Sequence, residues 1–522
     1  MNLEPPACFN FALDVMERWA RERPDSLALW CVDGAGGGER KLSFHALAEN
    51  FRRAAGFFHW LGLRRGDRVL VVLPRVPQWW IAMLGLTKLG AVPIPGTPLL
   101  TPKDIRYRLE AAEVSAILTD SEGASKVEQF SGLRLLVGGE RPGWTNFDSG
   151  LRDASPDFNC QPTRSDEPGI IYFTSGTTGP PKMVLHTQAS YGLAHRLTGE
   201  LWLDLRSGDV HWCLTDTGWG KAAWSCLFGP WQMGACVFAV DARGRFDPVA
   251  ALRTLVHYPI TTWCAPPTAL RLMVREDVVA YRFPKLRHCV SAGEPLNPEV
   301  MSLWKNATGL TIHEGYGQTE TVVLIGTFRS RGDEARPGAM GKPTPGFTVA
   351  LLDESLQELP AGQEGEVAVR VKPQRPLGLF REYWRNPAEN AARFRGDWYL
   401  TGDRAVRDAD GYYWFVGRGD DVIKSASYRI GPFEVESALI EHPAVLEAAV
   451  VGKPDPVRGQ IVKAFVVLRK DCLPSRELER ELQEHCQRET APYKYPREIE
   501  FVAELPKTIS GKIRRVELRE RQ

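Results

Sequence analysis

The stretch Tyr172-Phe-Thr-Ser-Gly-Thr-Thr-Gly-Pro-Pro-Lys182 decides how this chain is read. It follows the apolar run Gly169-Ile-Ile-Tyr-Phe173. Thr174, Ser175, Gly176, Thr177, Thr178, Gly179, Pro180, Pro181 and Lys182 then bring four hydroxyls, two glycines and a lysine into nine residues. Glycine lets the backbone take positive φ and come close to a ligand. Successive N–H groups form an anion-binding nest, to which hydroxyls add donors and Lys182 adds charge. The composition suits a polyphosphate. It is not a Walker A loop, because Lys182 follows Pro181 and precedes Met183, where that loop has glycine and Ser or Thr. Taken alone, the same residues also fit a polar surface turn.

With 522 residues the chain is long enough for two to four domains with large cores. Lys and Arg number 65 against 64 Asp and Glu, which argues against a nucleic-acid-binding or anionic-membrane surface. No apolar run is long enough for a transmembrane helix. The start, Met1-Asn-Leu-Glu-Pro-Pro-Ala-Cys8, has neither the pattern of a secretory signal nor that of an Arg-rich transit peptide. The ten cysteines are scattered without a CxxC pair, and Cys213, Cys264 and Cys289 lie in apolar runs. This reads as buried free thiols in a reducing compartment rather than a zinc site. That compartment is the cytoplasm, or the mitochondrial matrix if a transit peptide has been removed. Asp33-Gly-Ala-Gly-Gly-Gly38 fails the dinucleotide-binding spacing because Glu39 holds its last position, so it reads as a hairpin loop.

The fold class expected is α/β. Ser43 to Leu61 is an amphipathic helix capped by Ser43, and Arg68 to Leu73 is a continuous apolar strand. Pro77 to Leu89 is a helix, Thr101-Pro102 opens another, and Ser115 to Thr119 is a strand. The alternation resumes with helices 248–257, 267–276 and 297–308 and strands 260–265 and 287–291, which implies doubly wound sheets. After Gly338 short β patterns separated by Gly and Pro predict a small β-barrel-like subdomain, about residues 338–416. Helices 432–441 and 476–490 with strands 446–451 and 461–468 make a compact α+β unit. The boundary falls near Asp420, giving a large domain 1–419 and a small one 420–522.

Further segments carry polar chemistry in a fixed order. They are Ser291-Ala-Gly-Glu-Pro295, Glu314-Gly-Tyr-Gly-Gln-Thr-Glu320, Tyr399-Leu-Thr-Gly-Asp403, Gly417-Arg-Gly-Asp-Asp421, Tyr428-Arg-Ile-Gly-Pro432 and Pro506-Lys-Thr-Ile-Ser-Gly-Lys512. With the Thr174–Lys182 loop, this set resembles the adenylate-forming (AMP-forming) acyl-CoA synthetase superfamily over nearly the whole chain. Asp216-Thr-Gly-Trp219 and Ala491-Pro-Tyr-Lys-Tyr-Pro-Arg497 resemble its medium-chain branch.

The resemblance implies an acid:CoA ligase that uses ATP, Mg²⁺ and coenzyme A, with a medium-chain or aromatic acid as substrate. Thr174 to Lys182 would cradle the phosphates. Glu314, Gly315, Tyr316, Gly317, Gln318 and Thr319 would contact ATP, with Tyr316 stacked on adenine and Thr319 at the α-phosphate or acyl carboxylate. Glu320 would hold Mg²⁺, a hard cation that prefers oxygen ligands. Asp403 would accept from both ribose hydroxyls, with Arg418 beside it. Lys512 would insert between acyl carboxylate and α-phosphate during adenylation, a role suited to a point charge on a flexible stem. Thr319, Glu320 and Lys512 are thus the expected catalytic residues.

For thioester formation the C-terminal domain would rotate about Asp420 as hinge. Coenzyme A would run along Ala426, Ser427 and Tyr428, with Arg458, Tyr495, Pro496 and Arg497 near its phosphates and Arg429 facing ATP in the adenylation pose. Ser427 stands where many CoA ligases have glycine. Trp219 would wall the acyl pocket. His186, His211 and His313 read as structural, and Trp79, Trp80 and Trp212 as core. Two other readings stay open: adenylation with transfer to a non-CoA acceptor, and a catalytically silent nucleotide-binding homologue.

Overall fold

Parallel strands covered by helices on both faces must be apolar throughout, and this chain supplies two such sets. The computed structural model describes residues 4–34, 36–174, 180–244, 246–425, 428–491, 493–508 and 512–521. The first sheet is wholly parallel, in the order Val92–Gly96, Arg68–Val72, Ala116–Asp120, Leu133–Val137 and Thr145–Asn146. The second has a parallel heart ordered Ile312–Tyr316, His288–Ala292, Thr262–Ala265, Val210–Cys213, Cys236–Asp241 and Leu27–Asp33. Glu39–Ser43 closes one edge as an antiparallel hairpin partner of Leu27–Asp33, so the Asp33–Gly38 segment is the expected hairpin loop.

At the other edge of the second sheet the pairing turns antiparallel through Ile325–Gly326 and Ala339–Pro343. It continues into Tyr413–Arg418, Trp398–Arg407, Glu364–Arg370 and Val349–Leu352. The Gly- and Pro-rich segment after Gly338 therefore forms a curled antiparallel wing joined by hydrogen bonds to the parallel sheet. A small antiparallel sheet, Pro168–Thr174, Lys182–Thr187 and Glu382–Tyr383, shares no ladder with either but packs on the first, where Ile171, Phe173, Met183 and Leu185 join Leu70, Val92 and Ile94 in one core cluster. The last sheet, ordered Tyr428–Ile430, Ile423–Ser425, Gly459–Leu468 and Val445–Asp455 with Glu498–Phe501 alongside, lies wholly after Arg418.

Local chemistry places the helices. Ser43 caps Phe44–Trp60 by accepting from the Ala46 N–H, and Thr101 and Asp104 form a reciprocal box at the start of Pro102–Ala111. Pro77–Leu89 is buried almost all round, and Trp79 and Trp80 are wholly inside. It crosses Phe44–Trp60 closely at Gly85, where an added Cβ would lie 2.7 Å from the Ala54 Cβ. The helix expected over 267–276 stops at Met273, where Val274 caps it and the chain turns into the Val278–Ala280 turn.

Five buried histidines share one electrostatic consequence. Burial lowers His186, His211 and His313 to about 3 and His288 to about 4, and puts His195 well below the ordinary value. Below pH 6.5 the unfolded chain protonates these rings while the folded chain does not, so stability falls as pH drops. Each ring contributes about 1.4 kcal/mol per pH unit across its window. Glu314 works in the opposite sense, because burial raises its carboxyl to about 8, and so do Asp216, Glu299, Glu320 and Glu441, but carboxyls held low by cations, such as Glu17, Glu389 and Glu498, act with the histidines. The unfolding midpoint should therefore fall steeply between pH 6.5 and 4.5 in thermal melts, and His211→Gln should flatten that slope. A flat profile would contradict this account.

Candidate active site

Ligands of open α/β sheets collect beyond the carboxyl ends of the parallel strands. Here Ile312–Tyr316 ends in the turn Gly317-Gln318-Thr319-Glu320. The Gln318 N–H donates to the Thr321 hydroxyl at 3.0 Å and the Thr321 N–H to the Gln318 carbonyl at 3.1 Å, which fixes that turn. On one side it meets the antiparallel wing. The Tyr316 hydroxyl and the Gln318 amide each donate to Asp403 Oδ2 at 2.7 Å. The Tyr399 hydroxyl donates to Gln318 Oε1 at 3.0 Å, and Arg418 Nε stands 3.2 Å from Asp403 Oδ1. Asp403 is buried, and both its oxygens have partners, as a buried carboxylate needs. Tying the Tyr316 hydroxyl to Asp403 also fixes the direction in which its side chain points.

On the other side lies the hairpin that carries the Thr174–Lys182 segment. Thr174 pairs with Lys182 across it, and the Tyr107 hydroxyl donates to the Pro181 carbonyl at 3.1 Å. Ser175, Gly176, Thr177, Thr178 and Gly179 lie outside the described residues. Lys182 Nζ pairs with Glu389, which also accepts from Arg393 Nε at 3.0 Å. Tyr383 lies under the Lys182 ammonium, 5.5 Å from ring centroid to Nζ, and its hydroxyl donates to Glu320 Oε1 at 2.8 Å. Burial raises the Glu320 carboxyl above its usual range, while the Tyr383 hydroxyl, its own backbone N–H, Arg418 and Arg393 oppose that rise.

Lys512 reaches this cleft from the C-terminal sheet unit. Protein surrounding the ammonium lowers its pKa, with burial the main cause. Arg418 lowers it further, while Glu294, Asp403 and Glu320 oppose. The side chain still keeps solvent contact, as expected for a group in an open cleft. Its loop is held by the Thr508 N–H donating to the Lys512 carbonyl at 2.7 Å and the Lys512 N–H to the Thr508 hydroxyl at 3.1 Å. Thr319, Glu320, Asp403, Arg418 and Lys512 thus converge on one cleft beside Thr174 and Lys182.

Arg429 does not join them. It is exposed and pairs with Glu354 at 3.5 Å, from the short strand Tyr428–Ile430. Asp420 is exposed and accepts through its carbonyl from Arg519 Nη1 at 3.3 Å. Tyr428 stacks on Tyr493 with ring centroids 4.0 Å apart, and Arg497 lies over the Tyr495 ring at 4.9 Å. Arg458 is half-buried and Pro496 buried. Ala426 and Ser427 lie outside the described residues.

The Asp216–Trp219 segment abuts the first sheet. The Gly218 N–H donates to Asp216 Oδ1 at 2.9 Å, and burial raises the Asp216 carboxyl. A Cβ on Gly218 would lie 2.0 Å from the Thr97 nitrogen, so only glycine fits there. Trp219 is half-buried, and the next residue, Gly220, packs on the Thr319 side chain. Trp219 therefore sits one residue from a contact with the turn that bears Thr319.

Sequence reading missed Tyr383, Glu389 and Arg393, which lie more than two hundred residues after Lys182 and belong to no segment singled out for phosphate chemistry. The donor set fits a divalent cation of a particular kind. Among the described residues no group of three His, Cys, Asp or Glu could hold a metal by itself. A single carboxylate, Glu320, beside the hairpin of Thr174 and Lys182 would suit a Mg²⁺ ion whose other ligands are phosphate and water oxygens.

A family model for "AMP-binding enzyme" matches residues 16–384, and one for "AMP-binding enzyme C-terminal domain" matches residues 434–512. The acyl-coenzyme A synthetase ACSM3, mitochondrial, of Rattus norvegicus is 50% identical, covering 100% of this chain and 92% of its own. The acyl-coenzyme A synthetase ACSM5, mitochondrial, of the same species is 51% identical over 99% of this chain and 91% of its own. Among solved structures, the anthranilate CoA ligase AuaEII in complex with anthranoyl-AMP superposes with a TM-score of 0.90 at 31% identity, covering 99% of this chain and 98% of that one. The chain belongs to the AMP-binding enzyme family, within its acyl-CoA synthetase branch.

Proposed function

We propose that the protein joins a medium-chain or aromatic carboxylic acid to coenzyme A in two steps. In the first, a carboxylate oxygen attacks the α-phosphorus of ATP and pyrophosphate leaves. In the second, the coenzyme A thiol attacks the acyl carbon of the adenylate, AMP leaves, and the thiol proton is released. The convergence of Lys512 with Thr319, Glu320, Asp403 and Arg418 on one cleft is the observation that carries this reading. Family membership supports ATP and coenzyme A as substrates.

Asp403, positioned by Tyr316, Gln318 and Arg418, receives the ribose hydroxyls. Thr174 and Lys182 flank the phosphates, and Lys182 exchanges Glu389 for a phosphate oxygen when nucleotide enters. Glu320 would hold Mg²⁺, which when bound neutralises charge on the phosphates. Lys512 bridges carboxylate and α-phosphate, where two anions must be brought together. Trp219 borders the acyl pocket.

Arg429, Tyr428, Arg458, Tyr495 and Arg497 lie on the C-terminal unit and serve the second step after rotation about Asp420. Support for a separate unit comes from packing: among the described residues, no hydrophobic cluster mixes side chains from before Arg418 with those after Ile423. The mitochondrial names of the relatives favour the matrix. No helix among the described residues is long and apolar enough to cross a membrane.

Purified protein given ATP, Mg²⁺, coenzyme A and a panel of straight-chain and aromatic acids should release AMP with at least one of them, and none doing so would overturn the reading. Lys512→Ala should slow adenylation by about 10²-fold or more while sparing thioester formation from supplied acyl-adenylate. Equal loss in both half-reactions would remove the role given to Lys512. Tyr383→Phe deletes a donor that favours the charged form of Glu320, so the carboxyl pKa rises further. The acid limb of the pyrophosphate-exchange profile should therefore move to higher pH, and an unmoved limb would separate Glu320 ionisation from catalysis.

A further inference from the structure

The strand that begins with Lys182 is fastened to the turn that bears Thr319 and Glu320 by two side chains aimed at one atom. His186 Nε2 lies 2.8 Å from the Thr319 carbonyl oxygen, and the Tyr191 hydroxyl lies 2.5 Å from the same oxygen. His186 belongs to Lys182–Thr187 and Tyr191 to the following helix Gln188–Gly192. Both side chains are wholly buried, and their rings stack with centroids 3.4 Å apart. The next peptide is gripped as well, since the Phe380 N–H donates to the Glu320 carbonyl at 2.8 Å.

The direction of these bonds is determined. A carbonyl oxygen only accepts, so His186 must carry its proton on Nε2 and Tyr191 must donate. His186 Nδ1 is then an acceptor, and the Ser190 hydroxyl stands 3.2 Å from it. Ser190 in turn accepts from the Thr187 N–H at 2.8 Å. The relay runs one way, from Thr187 N–H through Ser190 and His186 to the Thr319 carbonyl. Burial keeps His186 neutral, at about 3, so protonation does not break the relay near neutral pH.

We propose that His186 and Tyr191 are positioning residues for adenylation: by clamping the Thr319 carbonyl they hold Thr319 and Glu320 in register with Lys182. The inference rests on the roles given above to Thr319 and Glu320. Its physical basis is that all three groups must face one phosphate chain, and small misplacements of a group acting in the transition state are costly. The clamp spans two separate sheets, so nothing in the local sequence of either segment would otherwise fix their relative position.

The test uses the full chain and the acid found active in the panel, read by pyrophosphate exchange. Tyr191→Phe keeps the ring stack and removes one donor, His186→Ala removes the other, and His186→Gln keeps an N–H in reach. Tyr191→Phe and His186→Ala should each lower kcat about five- to tenfold with a nearly unchanged KM for ATP, the size expected from loss of one hydrogen bond. Their double variant should lose less than the product of the two, because both act on one carbonyl. His186→Gln should recover most of kcat, and Tyr191→Phe should melt close to the parent, since its stack is intact.

Parent-like kcat in Tyr191→Phe, or fully independent losses in the double variant, would overturn the clamp. Thr319→Ala and Glu320→Gln run alongside. If those two are harmless, the assigned site is wrong. If they are damaging while the clamp variants are not, only this inference fails.

Discussion

In the proposed reaction a carboxylate, Glu320, must stay available to a cation although it is buried beside the hairpin that carries Thr174 and Lys182, and the rest of the site answers to that constraint. Glu320 is nearly sealed from solvent, which favours its neutral form. The protein opposes this with a phenolic donor, Tyr383, rather than with a direct salt bridge. A salt-bridged arginine would hold the carboxylate charged but compete with a metal for its oxygens. A single hydroxyl on Oε1 leaves lone pairs open. The cationic neighbours, Lys182 and Arg393, instead share Glu389, so the positive charge needed for phosphate is balanced by a different acid. Burial and these two partners act on Glu389 in opposite senses, and the partners prevail, holding it below the usual range.

Geometry follows from the same division of labour. The Asp403 network hangs on the antiparallel wing, Thr319 and Glu320 on the parallel sheet, and Lys182 on the separate hairpin. The three are closed by long-range bonds between side chains and backbone, such as Gln318 to the Thr401 carbonyl at 2.9 Å and His186 to the Thr319 carbonyl at 2.8 Å. A site assembled this way is rigid on its large-domain side without belonging to one element. Lys512 is different: it arrives on the C-terminal unit, whose contacts with the remainder include polar ones such as Asn297 to Ser437 at 3.0 Å and Arg275 to the Leu446 carbonyl at 2.5 Å. Polar contacts with no shared hydrophobic cluster favour relative motion over a fixed pose.

Much of this was legible in the sequence, for reasons that can be named. Helices such as Pro77–Leu89, Pro248–His257 and Pro432–Glu441 carry a proline at their start and an apolar face, and their bounds were read as observed. Parallel strands were legible as apolar runs. Glu320, Asp403 and Lys512 were singled out because their segments resemble motifs of the family, and the structure brings all three near one cleft. Glu389, Arg393 and Tyr383 were not, since what makes them important is proximity to Lys182, and proximity across two hundred residues leaves no local pattern. His186 was read as structural, and its burial agrees. Its bond to Thr319 was invisible because the acceptor is a backbone atom, which no side-chain pattern marks. The pairing of Arg429 with Glu354 was missed for a related reason: a surface arginine on a unit taken to be mobile has several partners, and sequence does not say which pose selects which.

If the C-terminal unit rotates as proposed, the surroundings of Lys512 supply a reason for it to come and go. In the cleft without nucleotide, burial and Arg418 disfavour its charge, and Glu294, Asp403 and Glu320 only partly compensate. A polyphosphate entering between Thr174, Lys182 and Lys512 adds several negative charges at short range. By linkage, whatever raises the affinity of Lys512 for its proton also strengthens the pose that brings Lys512 in. On the proposed function, ATP and the acyl carboxylate would thus favour the inserted arrangement on electrostatic grounds alone. Once pyrophosphate has left and the carboxylate has become part of a mixed anhydride whose one phosphate keeps a single negative charge, most of that attraction would be gone. The desolvation cost of the ammonium remains. The balance would then tip toward withdrawal, which would clear the space a thiol needs, without any separate signal having to report that the first step is complete.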